Sequence, residues 1–309
     1  MAYIVTGGQG VIGRRLVEQL RQQGKEVTVV DRARDPLGDE LNADITRFEE
    51  LWSVFKDTDV ECVIHLAGEV GRMVGELRPN RMTYVNIIGT MNLIQLCLET
   101  NARLVLFSTS EIYGDQGETP MSEDLEDTHQ LKPTNIYAMT KLFAEKFARH
   151  YNENYGLQAI AIRPFMVYGP GEQPGPYRSA MANFIFKALK GEKITVHEGT
   201  VRSWTFLDDF VNGVLLATEK GDFANCAAYN IGRHDPTTME EVARIALRLA
   251  GQSEDLIERE PPPSKFLSPI KVGSFDKAKE ELGFVAQTHI EEGIRKTMDW
   301  QKQAVLDNS

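Results

Sequence analysis

Tyr137 and Lys141, in the stretch NIYAMTKLFAEK, are four positions apart and share one face of any helix that contains them. An ammonium beside a phenol favours the phenolate and lowers a pKa that starts near ~10. The pair reads as a general base able to take a proton from a hydroxyl group near neutrality. Upstream, the apolar run RLVLFS (103–108) passes into Ser108-Thr109-Ser110-Glu111, which sets hydroxyls and a carboxylate at the end of a strand. A second cluster lies at the start of the chain. Gly7, Gly10 and Gly13 follow the apolar run AYIVT (2–6) with G-x-x-G-x-x-G spacing. Such a loop makes a tight turn, lets backbone approach a pyrophosphate, and puts an anion at the N-terminus of the next helix. Asp31 ends the following apolar run, where a carboxylate accepts from both hydroxyls of an adenosine ribose and repels a 2′-phosphate. NAD is therefore expected over NADP, with Arg32 and Arg34 softening that preference.

These groups need a scaffold that brings strand ends together. Short apolar runs at 2–6, 26–31, 61–67, 103–108 and 157–163 each precede a stretch with helical periodicity, such as Val11, Leu16 and Leu20. Strand and helix in alternation predict a parallel sheet covered on both faces, with ligands at the carboxyl ends of the strands. The fold class expected is α/β, a Rossmann-type doubly wound parallel sheet with a smaller C-terminal substrate-binding lobe over the sheet's carboxyl edge. The second half is less regular. It predicts helices at 179–190, 207–220 and 237–251, the last opened by a Thr237-to-Glu240 capping box, and a strand at 227–232. The division expected is an NAD-binding domain at 1–168 plus about 203–232, and a lobe at about 169–202 plus 233–309.

With 309 residues and 42% hydrophobic side chains, the chain can build such a core without disulfide or metal staples. A net charge of −11 repels phosphate backbones and anionic lipid, so neither nucleic acid nor a membrane is an expected partner. No apolar stretch approaches the ~20 residues that span a bilayer. Cys62, Cys97 and Cys226 are odd in number and form no CxxC pair, which points to buried thiols in a reducing cytoplasm. The six histidines lack metal-ligand spacing, and no metal is expected. The acidic segment 114–127 reads as a solvated loop.

Together these motifs resemble an extended short-chain dehydrogenase/reductase of the NAD-dependent nucleotide-sugar epimerase/dehydratase type. The resemblance runs through TGGQGVIG (6–13), Asp31, the Asp44–Ile45 pair, HLAG (65–68), VNIIGTMNL (85–93), STSEIYG (108–114), Tyr137–Lys141, RPFMVYGPG (163–171) and VRSWTFLDD (201–209). It implies that Gly7, Gly10, Val11, Ile12, Gly13, Asp31, Arg32, Asp44, Ile45, Leu66, Ala67 and Gly68 line the cofactor. Asp44 and Ile45 would meet its adenine. Tyr137 would be the base, and Lys141 would hold the nicotinamide ribose. Thr109 would hydrogen-bond the reacting sugar hydroxyl, and Arg202 would grip the substrate diphosphate. The segment GEVGRMVGE (68–76) is similar to the loop lining the sugar pocket of GDP-sugar epimerases acting at C3 and C5, which puts Arg72 beside the substrate with Ser110. Met166 stands where the family often has an asparagine that contacts a phosphate.

The resemblance implies an NAD-dependent epimerase that oxidises C4 of a nucleotide-diphosphate sugar transiently to a 4-keto sugar, as a cytoplasmic homodimer built on helices near 83–98 and 137–153. Members that eliminate water carry Thr-Asp-Glu where this chain has Thr109-Ser110-Glu111. Glu111 is left either as a base beside a transient ketone or as a carboxylate that fixes its loop. Decarboxylation of a nucleotide-linked uronic acid ranks second, and a net dehydrogenase or ketoreductase third. A non-catalytic NAD-binding regulator is the alternative from another class, disfavoured because both Tyr137 and Lys141 are present.

Overall fold

The computed structural model describes residues 1–32, 41–128, 131–262 and 268–306. Its central sheet is built from β1 (Ala2–Thr6), β2 (Val27–Asp31), the short β3 (Leu41–Asn42), β4 (Val60–His65), β5 (Arg103–Phe107), β6 (Ala159–Pro164) and β7 (Ala228–Ile231). The order is β7-β6-β5-β4-β1-β2-β3, a parallel seven-stranded sheet. Strand order runs outward from β1 in both directions, so the carboxyl end of β1 is the switch point where such sheets bind ligands. The strands are mostly apolar because helices cover both faces. Around them stand α1 (Val11–Gln22), α2 (Phe48–Phe55), α3 (Arg72–Leu77), α4 (Pro79–Thr83), a π-helical turn at Tyr84–Ile88, α5 (Gly89–Thr100) and α6 (Ile136–Tyr155). Ile4, Val63 and Leu104 from the sheet pack with Leu93 and Ile94 of α5 and Ala144 and Ala148 of α6. Each buried Leu or Ile contributes about 1.5–3 kcal/mol, which is what holds α6 and its functional residues against the strand ends. The three cysteines are free and buried.

The chain divides into two compact units. The first comprises Met1–Ile112, Pro133–Arg163 and Val214–Tyr229, and the second Tyr113–Lys132, Pro164–Gly213 and Asn230–Ser309. In the second unit α7 (Ala180–Lys190), α9 (Met239–Leu249) and α10 (Ile290–Gln301) share a core of Ile185, Val242, Ala246 and Ile294 with the parallel strands Ile194–His197 and Ile257–Glu260. The helix α8 (Leu207–Lys220) runs from one unit's sequence into the other's. Among the described residues no helix is long and apolar enough to cross a membrane.

Two local expectations are corrected. The cap of α9 is Thr238, whose side chain accepts from Glu241 N at 3.0 Å, while Thr237 pairs with Arg202 in a strand. Adjacent threonines offer the same local signal, and strand pairing takes the first of them. The acidic segment 114–127 is not wholly solvated. Met121 bridges to Gly273, and Glu123, nearly buried, accepts from Asn230 N at 2.6 Å.

Candidate active site

The loop between β1 and α1 forms a cradle at the switch point. Gly7 is left-handed (φ +74°), and a Cβ there would come within 2.6 Å of Ala67 N, so only glycine lets the two strand ends approach. Gly10 caps α1 without a side chain, and no acid occupies the helix's first turn. The helix N–H groups and the positive end of its dipole therefore face the loop. Gln9 N donates to Asp31 Oδ2 at 3.0 Å, which fixes the carboxylate at the end of β2. A cleft of about 340 Å³ opens here, lined by Gly7, Gly10, Asp31, Arg32, Ile45, Leu66, Ala67 and Gly68 among others. It holds backbone donors and a carboxylate of the kind a dinucleotide requires, and the residues fit NAD. Val11, Ile12 and Gly13 form the first turn of α1 beneath it. Asp44 turns its carboxylate to Thr46, accepting from its backbone N at 2.9 Å and its Oγ1 at 2.8 Å. Arg34 lies outside the described residues.

The second cluster is assembled by α6. Asn135 caps this helix, its Oδ1 accepting from Ala138 N at 2.9 Å, and its Nδ2 donates to Glu111 Oε2 at 3.3 Å. Glu76 of α3 accepts from Ile136 N at 3.0 Å, docking α3 on the start of α6. Arg72, the first residue of α3, thereby reaches Glu111, Nε to Oε1 4.0 Å. Tyr137 shares a side-chain hydrogen bond with Thr109, and Thr109 Oγ1 also accepts from Glu111 N at 3.2 Å. One turn along α6, Lys141 is only 5% exposed and donates to Phe107 O at 2.9 Å. The structure thus brings Thr109, Ser110, Glu111, Tyr137, Lys141 and Arg72 together in the first unit. Arg202 belongs to the second unit, nearly buried, its NH1 donating to Val201 O at 2.8 Å and Pro269 O at 2.5 Å. Met166, also in the second unit, holds φ +35° and packs against that unit's core.

The electrostatics correct one expectation. Tyr137 is not lowered in the ligand-free chain. Burial pushes the phenol up to about 12; the Thr109 hydrogen bond opposes that, and the Glu111 charge adds to it. The Lys141 ammonium donates to the Phe107 carbonyl. Burial brings Lys141 itself down to about 8, against the pull of Glu145. His65 is held near 3 by burial and by Lys141, and stays neutral between Thr6 Oγ1 (2.8 Å) and Thr90 Oγ1 (3.2 Å).

Asn86 was not singled out by the motifs. Buried in the π-helical turn, it accepts from Glu69 N at 2.8 Å, and its Nδ2 donates to Glu69 O at 3.0 Å and Thr140 Oγ1 at 3.0 Å. It ties the HLAG loop to α6. The signal available was an asparagine inside an apolar helical run, where an amide needs buried partners.

The profile of the NAD dependent epimerase/dehydratase family matches residues 3–232. A UDP-glucuronate 4-epimerase of Thermodesulfobacterium geofontis is 32% identical over 329 residues, covering 98% of this chain and 97% of its own. A UDP-glucuronic acid decarboxylase of Arabidopsis thaliana is 32% identical over 305 residues, covering 95% of this chain and 87% of its own. The crystal structure of a UDP-glucose 4-epimerase from Thermotoga maritima with UDP-glucose matches with a TM-score of 0.90 at 27% identity, over 99% of this chain and 100% of that one.

Proposed function

The chain belongs to the NAD-dependent epimerase/dehydratase family, and from that premise we propose that it inverts C4 of a UDP-linked sugar through a transient 4-keto intermediate. The observation that carries this reading is the Thr109–Tyr137 hydrogen bond with the buried Lys141 one turn behind it. Thr109 and Tyr137 mark where a sugar hydroxyl would enter, one hydroxyl orienting it and the phenol receiving its proton. Bound in the cleft, NAD supplies a reversible hydride acceptor. Tyr137 takes the proton of the C4 hydroxyl as C4 is oxidised and returns it to that oxygen when the ketone is reduced on its other face. Asp31, Arg32 and the glycine loop hold the adenosine diphosphate portion, and Arg202 takes the substrate diphosphate, where a planar guanidinium makes paired contacts.

Glu111 is tied by Asn135 and approached by Arg72, which suits a carboxylate that fixes the strand end. Ser110 in place of an aspartate removes the acid that dehydration requires. A decarboxylase reading is supported by the relative of that activity. Mass spectrometry of UDP-sugars incubated with enzyme and NAD⁺ in deuterated water separates these. An isomer without deuterium is expected. Deuterium uptake would move the chemistry to C3 or C5 with Glu111 as base, and loss of carbon dioxide or water would replace the epimerase reading. Accumulated NADH would mean a net dehydrogenase, and NAD binding with no turnover at all would mean a regulator.

The oligomer read here is a homodimer. Tyr84, Ile88, Met139 and Phe143 are exposed apolar side chains on the π-helical turn and α6, with Phe143 55% exposed. Such a row is what a helical interface between two copies buries. Light scattering should give twice the chain mass; a monomer at micromolar concentration would refute the assignment.

A further inference from the structure

Four residues beyond Lys141 on α6 lies Glu145, and it is buried. Its two carboxylate oxygens accept from Arg163 of β6, Nε to Oε1 at 3.0 Å and NH2 to Oε2 at 2.6 Å. Arg163 is fully buried. Its strand neighbour Ile162 pairs with Phe107, the residue whose carbonyl receives Lys141. The ion pair therefore joins α6, which carries Lys141, to β6, the strand beside the one whose carbonyl receives it. Buried ion pairs gain little net stability over apolar replacements, so a forked pair at this place calls for another reason.

We propose that Glu145, anchored by Arg163, is a positioning residue that holds Lys141 charged beside the reaction site. Among the described residues, the groups that bear on Lys141 come from three elements. On α6 it has Tyr137 and Glu145. From β4 it faces His65, which is neutral and repels the ammonium when protonated. From β5 it meets the uncharged Phe107 carbonyl. Glu145 is the negative charge that opposes burial, and without it Arg163 would add an uncompensated positive charge to the same interior. Neutral Lys141 would have no reason to hold a ribose or to stabilise a phenolate one turn away, so Glu145 keeps the pair working up to mildly alkaline pH.

The test titrates Lys141 directly by NMR of the ligand-free chain labelled with carbon-13 at lysine Cε, the signal being assigned by its loss in Lys141→Arg. Wild type should titrate near 8. Glu145→Gln should lower the proton affinity of Lys141 at least tenfold, and the alkaline limb of kcat/KM for UDP-sugar should move to lower pH by the same factor. Removing one partner of a buried pair endangers folding, so Glu145→Gln with Arg163→Met is measured beside it; this pair should show the same direction with a smaller shift. An unchanged Lys141 titration in either folded variant overturns the proposal. The proposal rests on the role read for Lys141, and that reading is tested apart: wild-type turnover by Lys141→Met would sink it, whatever Lys141 titrates at in the Glu145 variants.

Discussion

Tyr137→Phe should reduce turnover of the UDP-sugar by roughly 10²–10⁴-fold, the contribution expected of a positioned acid–base group, while the affinity for NAD stays within twofold of wild type. The ring that remains preserves the packing at the start of α6, where Asn135 caps the helix and Glu76 accepts from Ile136 N. Only the hydroxyl bonded to Thr109 is lost. Thr109→Val should also be impaired, and the double variant should be no worse than Tyr137→Phe alone, because both residues act on one proton. Steady-state kinetics with parallel NAD titrations gives the comparison. Activity within tenfold of wild type would assign the base elsewhere, and an equal loss of NAD affinity would mean that the phenol holds the cofactor instead of moving a proton.

Much of this site could be read from residue order because its demands are local. A glycine triplet after an apolar run, an aspartate at the next strand end and a Tyr–Lys pair at helical spacing each carry their geometry within a few positions. The direction of the Tyr137 shift does not. It depends on burial by parts of the chain far from it in sequence and on the Glu111 charge. The same limit hides the Glu145–Arg163 pair, whose members are separated by 18 positions and look like ordinary charges on a helix and a strand. Glu123 shows it from the other side. Its neighbours are acidic and polar, and composition alone makes it solvated, yet the amide it accepts from belongs to Asn230, 107 positions on. Long-range pairing, rather than any weakness of the local signals, separates what is legible from what is not.

Gly13→Ala should lower NAD affinity by on the order of 10²-fold and also destabilise the chain, although by intrinsic propensity alone the change favours a helix by about 1 kcal/mol. The sign is set by space. A Cβ at position 13 would lie 2.3 Å from Gly7 O and 2.7 Å from Gly8 Cα. These are backbone atoms of the cradle itself, not the end of a flexible side chain, so the loop must move. Overpacking of this kind costs about 1–3 kcal/mol. Here the movement breaks the turn in which Gly10 N donates to Gly7 O at 3.1 Å, and with it the aim of the α1 N–H groups at the pyrophosphate. Gly24, just beyond the other end of α1, makes the control. It is left-handed at φ +75° with no neighbour within 4 Å of a built Cβ, so Gly24→Ala should cost about 1–2 kcal/mol of strain and leave NAD affinity alone. Thermal denaturation and NAD titration of the two variants side by side separate lost stability from lost binding. If Gly13→Ala binds NAD as wild type does, the first turn of α1 is not where the pyrophosphate sits.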